Sequence, residues 1–304
     1  MSDINLKVNI AGVELKNPVV TASGTFANGR EISEYYDLSE LGGISVKAIT
    51  LQPRLGNKPP RIAETPSGIL NSVGLQNGGI EYFLKYELPN LKRFDTKIIA
   101  NISGSTVEEN SALAKMLGND VDFIELNISC PNVKHGGVAF GTNPDVVREI
   151  TAAVKENCKV PLIVKLSPNV TDIVQIAKAA QDGGADALSL INTLLGMKID
   201  VKSRRSILAN NTGGLSGPAV MPIAVRMVWQ VARAVSLPII GMGGIMNGSD
   251  AAEFMLAGAT AVAVGTANLV TPTASLDVKN GLVDYLKENG INDVSEIIGA
   301  VITN

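Results

Sequence analysis

The feature that most constrains the fold is a repeated pairing. A short apolar run of strand length is followed by a stretch with helical spacing of apolar residues, again and again along the chain. The pattern predicts strands at Val19–Ala22, Gly43–Val46, Lys97–Asn101, Phe123–Ile128, Leu162–Lys165, Ala187–Ile191, Ile239–Gly241 and Ala261–Val264. It predicts helices after them at about 30–40, 79–90, 106–117, 143–157, 171–182, 217–235, 248–257 and 273–288. Strands without polar alternation are what a parallel sheet covered on both faces requires. Eight such units in about 250 residues predict an α/β fold, a (β/α)8 TIM barrel. The same alternation also permits a doubly wound sheet, because spacing alone does not prove closure. Several helix starts carry capping signals: Thr106 with Glu109, Asn143-Pro144-Asp145, Thr171-Asp172 and Ser249-Asp250. Residues 4–16 alternate and predict an N-terminal hairpin that plugs one end of the barrel. At 304 residues, one large domain spanning 1–304 is expected.

The connections are unequal. Links from helix to strand are short, as at Gly42-Gly43, Gly183-Gly184 and Leu237-Pro238. Links from strand to helix are long at 47–78, 129–142 and 192–216. They read as long structureless loops, the kind that carries function. All three leave the C-terminal ends of strands, which in a barrel form the face where active sites sit.

Composition excludes several classes. Net charge is −3 with no basic block, so nothing points to nucleic acid. Phe254 to Leu276 is uncharged and long enough to span a bilayer, but Gly258, Gly265, Asn268 and Pro272 interrupt it. It reads as a helix end, a buried strand and the start of another helix. Cys130 and Cys158 are the two cysteines, too few for a four-thiolate iron–sulfur cluster. With no signal-peptide pattern in Met1–Asn5, a reducing cytoplasm is the expected setting. His135 is the single histidine and no metal-ligand cluster is expected.

The groups that could do chemistry gather at the strand ends. Cys130 stands three residues beyond Asn127, among Ser129, Pro131 and Asn132. A thiol placed there can act as a base, whereas Cys158 reads as an inert core residue. Lys47 and Lys165 each close a strand, and two lysines on one barrel face argue for an anionic or electron-rich ligand. Lys165 could also serve as a Schiff-base amine. Asn71, Asn101, Asn127, Asn132 and Asn192 recur near one rim, and amides that donate and accept suit an imide or a flavin ring. Gly241-Met242-Gly243-Gly244 and Gly265-Thr266 end the last two strands, where phosphate sites recur in this fold.

Taken together these pieces carry a resemblance. Ala22-Ser23-Gly24-Thr25, Lys47-Ala48-Ile49-Thr50, Asn71 to Leu75, Asn127 to Asn132, Lys165-Leu166-Ser167-Pro168, Asn192-Thr193, Gly241 to Gly244 and Gly265-Thr266 run through nearly the whole chain. In that order they resemble the class 1 dihydroorotate dehydrogenases, specifically the catalytic subunits of the NAD-linked 1B type. The fumarate-linked 1A type is the nearest rival, and a phosphate-binding barrel aldolase or isomerase using Lys165 is the rival from another class.

The resemblance implies a flavin barrel that oxidises (S)-dihydroorotate to orotate in de novo pyrimidine biosynthesis. FMN would be held by Ser23, Lys47, Ala48, Asn101, Asn127, Lys165, Ile191, Gly217, Gly243, Gly244, Gly265 and Thr266. Dihydroorotate would be held by Lys47, Asn71, Ser72, Val73, Gly74, Leu75, Asn127, Asn192 and Thr193. Cys130 would be the general base. The resemblance also implies a homodimer carrying two electron-transfer subunits, with FAD and a [2Fe–2S] cluster on those partners that pass electrons to NAD.

Overall fold

The computed structural model describes residues 4–129 and 140–304. An N-terminal hairpin pairs β1 (Val8–Ile10) with β2 (Val13–Leu15) and leads straight to the first barrel strand. Its Ile10 and Leu15 are fully buried in the main core. Eight parallel strands then close into a barrel. They are β3 (Val19–Thr21), β4 (Gly43–Ser45), β7 (Lys97–Ile102), β8 (Phe123–Asn127), β9 (Leu162–Lys165), β10 (Ala187–Leu190), β15 (Ile239–Met242) and β16 (Ala261–Val264). They neighbour one another in chain order, and β16 returns to β3. The barrel reading of the sequence therefore holds over the doubly wound one.

Helices wrap the outside. They are α1 (Gly79–Tyr82) and α2 (Leu88–Leu91) joined by a π-turn, α3 (Val107–Leu117), α4 (Pro144–Lys155), α5 (Ile173–Asp182), α6 (Met221–Ala232), α7 (Gly248–Leu256), the short α8 (Ala267–Val270) and α9 (Ala274–Glu288). Helix α4 shows why such segments fold and dock. Asn143 caps it by accepting from Asp145 N at 2.9 Å, and Pro144 fits the first turn, where no donor is needed. Val147, Ile150, Thr151 and Val154 then fall on one buried face. Truncating Ile150 to Ala would cost about 2–5 kcal/mol.

Three expectations need correction. No α-helix forms over 30–40; two 3-10 turns, Ile32–Glu34 and Leu38–Glu40, take its place. Asp37 is the cause: its backbone is extended and its carboxylate accepts from Ser39 N at 2.9 Å, which ends one turn and starts the next. The cap of α7 is Asn247 and not Ser249, because Asn247 Oδ1 accepts from Asp250 N while Asp250 Oδ2 accepts from Asn247 N.

The largest correction concerns the long loops. Segments 47–78 and 192–216 are not structureless. They contribute β5 (Ile62–Thr65), β6 (Gly68–Asn71), β11 (Leu194–Met197) and β14 (Thr212–Ser216), which form one antiparallel sheet in the order β11-β14-β6-β5. The pairing joins Asn71 to Gly214 and Ile69 to Ser216, far apart in sequence. The ribbon β12 (Ile199–Asp200) and β13 (Arg205–Ser206) extends from it. Among the described residues, no helix is long and apolar enough to cross a membrane. The uncharged stretch from Phe254 to Leu276 resolves into the end of α7, the buried β16, α8 and the start of α9.

Candidate active site

A cavity of about 440 Å³ opens at the C-terminal ends of the barrel strands, beside the four-stranded sheet. That volume lies within the range of about 300–1,000 Å³ typical of small-molecule sites. Every barrel strand delivers residues to it, directly or through the loop that follows. Ser23, Lys47, Ala48, Asn127, Lys165, Ile191, Asn192, Thr193, Gly243, Gly244, Gly265 and Thr266 line it. The loop after β6 adds Asn71, Ser72, Val73, Gly74 and Leu75. Residues scattered over more than 240 positions thus meet in one space, because each sits at a strand's end.

Local geometry fixes these groups. Lys165 Nζ lies 3.4 Å from Ser23 Oγ, and the residue is only 5 % exposed. Burial, and secondarily the charge of Arg61, hold the Lys47 ammonium below the ordinary lysine range. The rim is knotted: Asn192 Nδ2 donates to Ser129 Oγ at 2.9 Å and to Asn127 Oδ1 at 3.4 Å. The loop Asn71–Leu75 is pinned by Asn57, whose Nδ2 donates to Ser72 O at 2.8 Å. Gly74 has φ +77, and a Cβ there would lie 2.7 Å from the Asn57 side-chain amide, so only glycine fits this turn. At the other wall Thr266 Oγ1 donates to Ser216 Oγ at 2.9 Å. Thr266 opens the one-turn α8, whose Asn268 N and Leu269 N donate to Gly265 O and Thr266 O, both at 3.0 Å.

Two expected ligand-binding residues lie off the cavity wall. Asn101 is fully buried, and its Nδ2 donates to Glu125 Oε2 at 2.5 Å within the barrel. Gly217, at φ +102, turns the chain against Gly68 instead of facing the cavity. Cys130, Asn132 and His135 fall outside the described residues. Several lining groups were not anticipated: Ser103, Ser129 and Ser216 supply hydroxyls, and Ile62, Ile69, Leu215 and Leu269 supply apolar cover. The larger omission is Glu125, a 2 % exposed carboxylate in the barrel interior. Its signal was in plain view, since a lone acid in Phe-Ile-Glu-Leu-Asn breaks an otherwise apolar strand. Among the described residues no group of His, Cys, Asp and Glu could hold a metal ion.

A parallel barrel with the buried Lys165 and the half-buried Lys47, a ring of amides and glycine turns after its last two strands has the make-up of a barrel enzyme for an anionic ligand. Comparison with known proteins narrows this. The sequence model of the family described as dihydroorotate dehydrogenase matches residues 5–286. The chain belongs to the dihydroorotate dehydrogenase family. It is 61 % identical over 302 residues, 99 % of this chain and 100 % of the relative, to the protein of Alkaliphilus metalliredigens named dihydroorotate dehydrogenase B (NAD(+)), catalytic subunit. Relatives of the same name from Alkaliphilus oremlandii and Geotalea uraniireducens are 61 % and 56 % identical, over 98 % and 100 % of this chain and 99 % and 100 % of the relatives. The family is one of oxidoreductases, so the lyase reading of Lys165 falls.

Proposed function

We propose that this chain is the catalytic subunit of an NAD-linked, class B dihydroorotate dehydrogenase. It would act as one flavin-binding domain spanning 1–304 and oxidise (S)-dihydroorotate to orotate on the route to UMP. The observation that carries the reading is the meeting of Lys47, Lys165, Asn127 and the Gly243–Gly244 and Gly265–Thr266 turns in one cavity. The near-full-length identity to class B relatives favours that type over the fumarate-linked one.

The residues present fit FMN. Ser72 Oγ and Ser103 Oγ are buried, line the cavity and have no hydrogen-bond partner among the described residues. Groups of this kind ask for a polar ligand. The turns Gly243–Gly244 and Gly265–Thr266 would hold its phosphate, and Ser23, Ala48, Asn127, Lys165 and Ile191 would border its ring system.

Bound FMN supplies a two-electron acceptor for the hydrogen that leaves one substrate carbon with its electron pair. The neighbouring carbon must lose a proton to a base on the opposite face, a role for Cys130, the residue after Ser129. Lys47 would fix the substrate carboxylate, and its low exposure strengthens that charge pairing. Asn71, Asn127 and Asn192 would hold the ring's amide edges, each offering a donor and an acceptor. The sheet of β5, β6, β11 and β14 would keep water from the reacting face. Lys165 would place positive charge where negative charge builds during reduction.

Electrons must then leave the chain. Its two cysteines cannot hold a four-thiolate cluster, so FAD and a [2Fe–2S] centre would sit on a partner subunit, two of them on a homodimer of this chain in the cytoplasm. The test is direct. The purified protein should be yellow, and anaerobic dihydroorotate should bleach it while dihydrouracil does not. A colourless protein that binds no added FMN would refute the reading.

A further inference from the structure

The barrel interior below the cavity holds a buried carboxylate, Glu125, which is 2 % exposed. Glu125 lies on β8, two residues before the cavity-lining Asn127 and on the same strand face. Its Oε1 accepts from Ser189 Oγ at 2.7 Å. Its Oε2 accepts from Asn101 Nδ2 at 2.5 Å and from Ser45 Oγ at 3.2 Å. Ser45 and Ser189 stand on β4 and β10, each two strands away from β8, so these bonds cross the barrel interior. Lys165 Nζ lies 3.9 Å from the same Oε2. Barrel interiors are ordinarily filled by branched apolar side chains, and a buried ion pair is often no better for stability than its apolar replacement. The constellation therefore calls for a role beyond packing.

Its placement supplies one. A lysine is a point charge on a flexible four-carbon stem, so its position has to be imposed from outside. The hydroxyl of Ser23, at 3.4 Å, is a weak tether. The carboxylate is itself locked by three donors from three strands, which makes it a rigid anchor for the ammonium. At 3.9 Å the pair attracts without a tight hydrogen bond, leaving lysine donors free for a ligand above. Among the described residues, the other charged group at this cavity is Lys47, on the loop after β4.

We propose that Glu125 is a positioning residue: it holds the Lys165 ammonium at the cavity floor and, through Lys165, sets the reduction potential of the bound flavin. The proposal rests on the flavin reading above. It requires that the effect of Glu125 on the cofactor pass through Lys165 and vanish without it.

The experiment is a double-mutant cycle on the full chain with FMN bound, using Glu125→Gln, Lys165→Met and both together. Redox titration is the readout. Glu125→Gln should weaken reduced FMN about tenfold relative to oxidised FMN, a fall of about 30 mV for a two-electron couple. In the Lys165→Met background the same change should shift the ratio less than about twofold. No fall, or an equal fall in both backgrounds, would overturn the proposal. Ser189→Ala, which removes one donor from the anchor, covers the case in which Glu125→Gln loads no flavin. It should give a smaller fall that Lys165→Met again abolishes, and no fall would count against the idea. Thermal unfolding of the apoproteins reads the pair without cofactor: Lys165→Met should lower Tm, and adding Glu125→Gln should restore part of the loss. Additive losses would overturn the coupling. A wild-type chain that binds no FMN would instead sink the flavin reading, with the apoprotein cycle still deciding the pair.

Discussion

The Asn192 side-chain amide donates to Ser129 Oγ at 2.9 Å, tying the loop after β10 to the loop after β8. Asn127 Oδ1 joins the knot by accepting from Ser129 N at 3.1 Å and from Asn192 at 3.4 Å. All three groups stand at the cavity rim, and Asn127 and Ser129 come just before Cys130 in sequence. Each neutral hydrogen bond contributes about 1 kcal/mol, and losing one partner leaves the other unpaired. Asn192→Ala should therefore raise KM for dihydroorotate about tenfold, with FMN content unchanged. Asn192→Asp keeps the shape but not the donor and should behave alike in steady-state kinetics. A normal KM in both would show that the knot does not shape substrate binding.

The two cysteines should separate cleanly. Burial pushes the Cys158 thiol up to about 12, and its Sγ contacts Val154 O at 3.3 Å near the end of α4. Cys158→Ala should leave turnover intact and cost about 1 kcal/mol of stability or less. Cys130→Ala should cut turnover by about 10²–10⁴, the usual worth of a general base, while FMN stays bound. Iodoacetamide at neutral pH, followed by peptide mapping, should label Cys130 and spare Cys158. Equal activity in the two variants would remove Cys130 from the mechanism.

Much of this was legible in the sequence, and what was not has physical reasons. The barrel could be read because each strand is locally apolar and each helix locally amphipathic, as in Leu162–Lys165 and Pro144–Lys155. Lys47, Lys165 and the glycine turns could be placed because a strand's end fixes which face of a barrel a residue reaches. The sheet over the mouth could not. Its β14, Thr212–Ser216, has two glycines and no alternation, and it exists because Asn71 and Gly214 pair across a long stretch of chain. Asn101 looked like a lining residue by position, yet the buried Glu125 draws its amide inward. That attraction joins different strands, and no local window contains it. The segment over 30–40 was misread because Asp37 competes for backbone donors more strongly than a helical propensity sum conveys.

Lys47 gives a pH test with a definite sign. In the proposed function its charged form is the one that would bind the substrate carboxylate, so affinity should be intact below its folded-state pKa and lost as pH rises through it. Burial, with Arg61 second, lowers that value from the ordinary 10.5. The loss should therefore begin at lower pH than an exposed lysine would give. Orotate titrations should show Kd rising with pH as the lysine loses its proton. Lys47→Met should bind about tenfold more weakly at neutral pH and show no such rise. Arg61→Gln removes the neighbouring positive charge and should move the rise to higher pH. For folding the sign is opposite to that of a stabilising pair. The charged Lys47 costs stability fully below its folded value, and the cost is relieved as pH rises through the unfolded one.

The glycine turn after β15 should be needed for cofactor retention beyond its effect on the fold. Gly244 has φ +87, and a Cβ there would lie 2.8 Å from both Gly217 O and Met221 Cβ. Gly244→Ala combines backbone strain of about 1–3 kcal/mol with a clash against Gly217 and Met221, which would push the cavity-lining turn out of place. Isothermal titration should show FMN bound about ten- to a hundredfold more weakly. Gly290→Ala is the matched control, at φ +68 with nothing within 4 Å of the added Cβ. It carries comparable strain away from the cavity, so it should lower Tm by a few degrees and leave the FMN dissociation constant alone. If both variants lost FMN equally, general destabilisation would account for the loss, and the turn could not be called a cradle for the phosphate.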